Sequence, residues 1–147
     1  MSRRHNNRKG PGTTDRFVAL PHYMLRSAAW QALTPVARAV LIEVLVLYRG
    51  PGTSNGYLAL SARSAGKRCR CSKDTAHRAF TELQRLGFLE LAKEGSFDRK
   101  SPHANEWRAT LYPCDRTHAV SSKAFMRWRP PPETKTRSDH EDSWSLP

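Results

Sequence analysis

The stretch Ser72–Gly87, SKDTAHRAFTELQRLG, has the pattern of an amphipathic helix with its own start and stop. Ser72 can accept hydrogen bonds from the free N–H groups of the first turn, and Asp74 complements the positive end of the helix dipole. Gly87 can take the left-handed conformation that ends a helix. The apolar residues recur at helical spacing; they are Ala76, Ala79, Phe80, Leu83 and Leu86.

The opposite face of this helix is polar and includes three cations and one acid. It comprises Lys73, Asp74, His77, Arg78, Thr81, Gln84 and Arg85. Short polar side chains between cations suit the major groove of DNA, although an ordinary solvated surface helix has a similar face. The neighbouring residues favour DNA, because phosphate contacts by cations release counterions. These neighbouring cations are Arg63, Lys67, Arg68 and Arg70.

The size and charge of the chain narrow the function classes. Its 147 residues suffice for one domain with a core. A net charge of +12 indicates a nucleic acid or an anionic membrane surface as partner. No apolar run approaches the ~20 residues of a membrane span, and no secretory signal is evident. We therefore expect no membrane partner and a cytoplasmic, nucleoid-associated protein.

The three cysteines are expected to be free thiols rather than ligands or disulfides. Their odd number argues against a closed disulfide framework. Cys69 and Cys71 are separated by one residue, whereas paired zinc ligands are usually separated by more. A four-ligand set with Cys114 and His118 is the alternative. No metal and no cofactor are expected.

Both ends of the chain differ in composition from its middle. Residues 1–15 show no periodicity, which predicts a disordered arm that lies on DNA or only aids solubility. The cations of this arm are Arg3, Arg4, Arg8 and Lys9. Residues 117–147 are expected to form a tail, with a short amphipathic helix over 121–128 and Pro-rich disorder after it. The folded domain is thus expected over 16–116.

The middle of the chain predicts a core helix and a second helix before Ser72. Thr34-Pro35 is a strong helix start, and the helix it opens runs to about Tyr48. Because that helix is apolar nearly all round, it is expected to be buried. A turn-rich loop, Gly50–Gly56, is followed by a short strand over Tyr57–Leu60. Ser61 then begins a helix that ends near Arg70.

Two strands are predicted after Gly87. Phe88–Leu91 and Glu106–Tyr112 alternate in polarity and are joined by a long basic loop. The basic side chains of this loop are Arg99, Lys100 and His103. Helix, short turn, helix and hairpin form a winged helix-turn-helix. The predicted fold is therefore α+β, with a three-helix core, a short strand and a two-stranded wing. The tip of the wing is expected either to contact DNA or to be a hairpin loop without contacts.

The order of these elements resembles the N-terminal winged-helix domain of bacterial plasmid replication initiators, over about Arg16–Tyr112. It is also similar to small stand-alone helix-turn-helix proteins of mobile elements. The matching positions are Leu20, Pro21, Trp30, Leu33, Pro35, Ala37, Arg38, Ser72, Thr75, Arg78, Ala79, Leu83, Gly87 and Phe88. The resemblance implies that the groove-facing positions are Ser72, Lys73, Thr75, His77 and Arg78; Thr81 extends this face. Such initiators carry a further domain, so a stand-alone regulator or an accessory factor is expected.

Three functions follow from these patterns. The first is sequence-specific binding of double-stranded DNA by a small transcriptional regulator. The second is an accessory or architectural DNA-binding factor in plasmid replication, excision or partition. The third is an RNA- or protein-binding adaptor, which is disfavoured because the aromatic residues occupy core-like positions; these are Phe17, Trp30, Phe80 and Trp107.

Catalysis and self-association have weaker signals. Gly50–Gly56 lacks the lysine of a phosphate-binding loop, and the carboxylates do not converge, so no enzyme is expected. A homodimer is an open alternative. Its candidate contact is the apolar face around Phe125 and Trp128.

Overall fold

The chain folds as a mixed helix-and-sheet domain in the computed structural model, which describes residues 16–132. The helices are α1 His22–Leu25, α2 Ala28–Ala32, α3 Pro35–Val46, α4 Ala62–Cys69 and α5 Lys73–Arg85. The strands are β1 Leu58–Ala59, β2 Leu89–Lys93 and β3 Glu106–Ala109, followed by a 3-10 turn, Ala124–Met126. The sheet is antiparallel, in the order β1-β3-β2. The predicted α+β class is confirmed. The cations of the predicted N-terminal arm lie outside the described residues; they are Arg3, Arg4, Arg8 and Lys9.

A side-chain hydroxyl begins each of the helices α2 to α5. The cap accepts a hydrogen bond from the backbone N–H three residues further on, which satisfies a donor that the helix itself leaves free. The capping residues are Ser27, Thr34, Ser61 and Ser72. The starts predicted at Thr34, Ser61 and Ser72 are thereby confirmed. They could be predicted because a cap and its donor lie only three positions apart in the sequence.

Helix α3 lies at the centre of the core but is not buried on all sides. Its inner residues pack against α4, α5 and β3; they are Ala37, Val40, Leu41, Val44 and Leu45. The prediction that the whole circumference is buried is wrong, because Ile42 is 37% and Val46 55% exposed. Val46 instead lines an open groove with Phe17. Phe17 is 86% exposed, so its predicted core position is also wrong.

Strands β2 and β3 form a hairpin whose return strand is shorter than predicted. Leu89 pairs with Ala109 and Leu91 with Trp107. The chain leaves the strand after Ala109, although the alternation predicts a strand to Tyr112. Thr110 is fully buried, and its hydroxyl donates to the Gly87 carbonyl at 2.7 Å. That bond ties the end of β3 to the turn after α5, which turns the chain away from the sheet.

Part of the segment after Arg116 packs on the core. Phe125 is 1% exposed, and its ring stacks on Phe88 with the centroids 4.9 Å apart. The Phe125 N–H donates to the Gly87 carbonyl at 3.1 Å. A methyl group on Gly87, whose φ is +87°, would meet the Phe125 nitrogen at 2.7 Å. The folded domain therefore extends beyond the expected boundary at residue 116, and one 3-10 turn replaces the helix predicted over 121–128.

This packing removes the expected dimer face. Phe125 is enclosed by its own chain, and Trp128 is half-buried against the same core. Met126 remains partly exposed in this segment. The apolar stripe predicted for self-association is thus an intramolecular contact.

A buried asparagine joins the loop after α3 to the end of the sheet. Asn55 is fully buried, and its Oδ1 accepts from the Ala109 N–H at 2.8 Å. Its Nδ2 lies within 3.1 Å of three backbone carbonyls; these belong to Ala109, Tyr112 and Pro113. The side chain therefore satisfies backbone groups that the shortened β3 leaves without a strand partner.

Asp115 holds the same loop from the outside. Its carboxylate accepts from the N–H groups of Gly52, Ser54 and Asn55 at 2.7 to 2.9 Å. These bonds lower the pKa of the Asp115 carboxyl, and the bond from the Asn55 N–H contributes most. They favour the ionised form because its oxygens are the better acceptors.

Replacing Asp115 by asparagine is expected to lower the free energy of unfolding at neutral pH by roughly 1–3 kcal/mol. A carboxyl whose pKa is lowered by folding stabilises the protein above its unfolded value of about 3.9. That stability is lost as the pH falls through the folded-state pKa. Urea unfolding from pH 7 downward should therefore show the difference between wild type and Asp115→Asn shrinking in acid.

The control is Asp98→Asn, which changes an exposed carboxylate that accepts from one backbone N–H. Its effect should stay within about 0.5 kcal/mol. A difference between wild type and Asp115→Asn that stays constant from neutral to acid pH would contradict the assigned role of the charge.

Candidate nucleic-acid interface

Helices α4 and α5 are joined by a tight turn, Arg70–Ser72. The Cys71 N–H donates to the Gly66 carbonyl at 2.9 Å, and Arg70 takes the left-handed conformation with φ 54°. A methyl group on Gly66 would lie 2.9 Å from the Cys71 carbonyl oxygen. Glycine at this position therefore lets the turn lie against α4, which fixes the placement of α5.

Helix α5 presents the predicted polar face to the outside. Its inner face is buried, as the spacing predicts, and consists of Ala76, Ala79, Phe80 and Leu83. The residues Lys73, His77, Arg78 and Thr81 are exposed. The amphipathic pattern is therefore confirmed, while contact of this face with DNA stays a prediction.

The hydroxyls of this face are used within the protein. Ser72 Oγ accepts from the Thr75 N–H and lies 2.8 Å from Thr75 Oγ1. Thr81 Oγ1 donates to the His77 carbonyl at 3.2 Å. Within residues 16–132, the polar groups of Lys73, His77 and Arg78 have no hydrogen-bond or ion-pair partner. Among the six predicted groove-facing side chains, these three are the ones free to bind a ligand.

Helix α4 adds exposed cations beside the turn. Arg63, Lys67 and Arg70 are all exposed. Arg68, predicted to join them, forms an ion pair with Glu43 of α3, with Nη1 and Oε2 3.3 Å apart. An exposed pair of this kind contributes at most about 1 kcal/mol, so Arg68 is only partly neutralised.

The loop between β2 and β3 is an ordered extension of the hairpin. Ser96 and His103 exchange two backbone hydrogen bonds of 3.0 and 3.1 Å. Arg99 and Lys100 project from the tip and are exposed. His103, predicted to contact DNA with them, is half-buried. Its ring nitrogens lie 3.2 Å from the Ser101 and Glu94 carbonyls, so this ring is engaged inside the hairpin.

A cleft of about 200 Å³ separates the outer face of α5 from the hairpin. Helix α5 contributes His77, Thr81 and Gln84, and the hairpin contributes Leu91, Glu94 and Asn105. The floor is the stacked pair Phe80 and Trp107, whose ring centroids are 4.5 Å apart. The sequence predicts neither this cleft nor the 42% exposure of Leu91, because both depend on how the hairpin packs on α5.

The carboxylates and cysteines of the described residues do not form a metal site. The carboxylates that accept hydrogen bonds from other groups of the protein are Glu43, Glu82, Glu90, Asp98, Glu106 and Asp115. Cys114 is buried, and Cys69 and Cys71 are half-buried free thiols. Over residues 16–132, no three His, Cys, Asp or Glu side chains lie close enough to hold a metal ion. The alternative zinc set is thereby contradicted.

Within the described range, none of the helices has the length and apolar composition that crossing a membrane requires. Comparisons with protein-family models, with curated proteins and with solved structures give no match for the chain. The structure defines the chain as a small α+β domain with a cationic surface on helix α5 and the β2–β3 hairpin.

Proposed function

We propose that the chain is a winged helix-turn-helix protein that binds double-stranded DNA sequence-specifically. In this proposal α4 and α5 form the helix-turn-helix and β2–β3 is the wing. The biological role that fits best is that of a small bacterial or mobile-element transcriptional regulator. No catalytic activity is assigned to it.

One observation carries the proposal: the unpartnered polar groups of Lys73, His77 and Arg78 share the exposed face of α5. Two of these residues, Lys73 and Arg78, are cations, and a bound polyanion would neutralise them. The α4 cations Arg63 and Lys67 lie on the preceding helix, and the hairpin flanks α5 across the cleft. A polyanion seated on α5 would therefore meet cations from three consecutive elements.

The proposed mechanism divides these residues by the part of DNA they contact. Helix α5 enters the major groove, where Lys73, His77 and Arg78 reach base edges or the adjacent phosphates. Arg63, Lys67 and Arg70 contact phosphates and position the protein without reading sequence. The hairpin tip places Arg99 and Lys100 on the neighbouring backbone.

The test is binding to the DNA upstream of the protein's own gene against a scrambled duplex of equal length, at two salt concentrations. A preference of about a thousandfold or more that survives the higher salt is expected for sequence-specific readout. Equal binding to both duplexes, lost steeply with salt, would leave only the electrostatic component. The assigned roles of the α5 residues would then be wrong.

Arg99→Ala is expected to weaken binding equally on all sequences and to lower the slope of log affinity against log salt by about one. The reason is that a phosphate contact releases about one counterion. The matched control is Arg26→Ala, an exposed arginine at the end of α1, outside the proposed interface. Fluorescence anisotropy over a salt series measures both slopes, and equal slopes for the two variants would remove the wing from the interface.

The second candidate is an accessory or architectural DNA-binding factor in plasmid replication, excision or partition. It is favoured by Phe97, a large apolar side chain that is 97% exposed at the hairpin tip. Footprinting separates the candidates, because a regulator should protect one operator and an architectural factor tandem or bent sites. The RNA-binding alternative gains no support from Phe80 and Trp107, which stack on each other in the core.

A further inference from the structure

The tip of the β2–β3 hairpin carries an aromatic side chain, Phe97, that does not pack on the rest of the domain. We propose that Phe97 is a wedge that inserts between two base pairs from the minor groove and kinks the DNA. This inference rests on the proposed binding of double-stranded DNA. It assigns Phe97 a role that the phosphate-contacting cations around it cannot have.

Exposure of Phe97 is extreme among the large apolar residues of the described chain. At 97% exposed, its ring contacts almost nothing in the protein. Burying such a side chain in a partner removes apolar surface from water, which favours association. A phenylalanine held wholly in water is therefore a candidate for insertion into a partner.

The backbone that carries Phe97 is held by a dense set of hydrogen bonds. Ser96 and His103 pair directly below it, and the Asp98 N–H donates to Ser96 Oγ at 3.1 Å. The Asp98 carboxylate in turn accepts from the Lys100 N–H at 3.1 Å, and the Asp98 backbone carbonyl accepts from the Ser101 N–H at 3.2 Å. Because the tip is ordered before binding, insertion does not require the backbone to be fixed at the moment of contact.

A close contact at the base of the tip adds to this rigidity. Gly95 donates to Asn105 Oδ1 at 2.6 Å across the hairpin. A methyl group on Gly95 would lie 2.7 Å from the His103 carbonyl oxygen, so the two arms touch there. The tip is thus a stiff projection beside the cleft next to α5.

The charges around Phe97 favour a nucleic acid over an apolar or acidic surface. Arg99 and Lys100 are exposed beside it, and the carboxylate of the single acid of the tip, Asp98, already accepts a hydrogen bond from the Lys100 N–H. Minor-groove proteins unstack and kink a duplex by inserting an apolar side chain between base pairs, while their cations contact the DNA around it. The hairpin flanks α5, so the tip would reach the groove next to the one that α5 occupies.

A kinked probe tests this proposal without a known target sequence. Two duplexes of the same sequence are compared by anisotropy at low salt, one intact and one with a short bulge of unpaired adenines at its centre. The bulge removes most of the unstacking cost, so the wild-type chain should prefer the bulged duplex by about tenfold. A 2-aminopurine beside the bulge should change its fluorescence on binding, since insertion alters its stacking.

Variants separate the wedge from the rest of the interface. Phe97→Ala should lose the preference for the bulged duplex, whereas Phe97→Leu, which keeps an apolar wedge, should retain most of it. Phe17→Ala removes an aromatic ring that is also exposed, at 86%, but lies away from the hairpin, and should change nothing. Arg99→Ala should weaken binding to both duplexes equally.

Failure of the wedge differs from failure of DNA binding. Saturable binding to both duplexes without a preference, or a preference that survives in Phe97→Ala, would overturn the wedge and leave the proposed function standing. No saturable binding of wild type to either duplex would overturn both. Because Phe97 is fully exposed, none of its variants should unfold the domain, and urea unfolding checks this.

Discussion

Arg78→Ala is expected to weaken binding to the preferred duplex by about 1–3 kcal/mol and to relax selectivity at one base pair. The guanidinium of Arg78 is exposed on the face of α5, and no residue within 16–132 pairs with it. A bidentate contact to the edge of a guanine would supply both the energy and the selectivity. Anisotropy with a panel of duplexes, each changed at one position, measures the two effects together.

The matched control is Arg85→Ala, which removes the same charge from the last turn of the same helix. Arg85 is exposed but lies at the opposite end of α5 from Ser72, where a recognition helix makes few base contacts. The control should keep the selectivity of wild type. Equal losses on every duplex for Arg78→Ala would assign this side chain to a phosphate, and unchanged binding would remove it from the interface.

Asn55→Ala is expected to lower the free energy of unfolding by roughly 3–5 kcal/mol. The asparagine is fully buried and bonds the Ala109 N–H and three carbonyls. Alanine would remove these bonds and leave the Ala109 N–H and the Tyr112 and Pro113 carbonyls without this partner, and each unsatisfied group costs about 1–3 kcal/mol. The Ala109 carbonyl would keep the Tyr112 N–H, 3.4 Å away. Urea unfolding followed by circular dichroism measures the loss.

Thr53→Ala provides the control from the same loop. Its exposed hydroxyl donates to the Gly50 carbonyl at 2.7 Å, in contact with water, and its loss should cost under about 0.5 kcal/mol. Asn55→Asp should destabilise as much as Asn55→Ala, because a carboxylate has no N–H to donate to the surrounding carbonyls. A cost under about 1 kcal/mol for Asn55→Ala would mean that water replaces the lost bonds.

The helices of this domain could be predicted because their signals are local. The Ser72 side chain accepts from the N–H of Thr75, only three positions further on. The buried residues from Ala76 to Leu83 recur with the helical period. The short strand before Ser61 and the hairpin after Gly87 were also predicted from alternation and turn residues. Their lengths were not, since the end of β3 depends on the bond from Thr110 to Gly87.

The candidate interface was only partly predictable for the same reason. The exposed cations Lys73 and Arg78 follow from helical periodicity alone. Sequence cannot show that Arg68 pairs with Glu43, 25 positions away, or that His103 turns into its own hairpin. Phe97 could have been found, since a lone aromatic residue in a loop of glycine, proline and charges has no core to join.

By itself the sequence determined the α+β class, the helix starts, the amphipathic face of α5 and the strongly basic character of the protein. These properties depend on neighbouring residues or on composition. Only the tertiary structure decided that Phe125 completes the core and that Ile42 and Val46 do not. It also decided that Asn55 closes the sheet and that the hairpin borders α5. Such contacts join residues as far as 58 positions apart, and which of them form depends on the packing of the whole domain rather than on any local pattern.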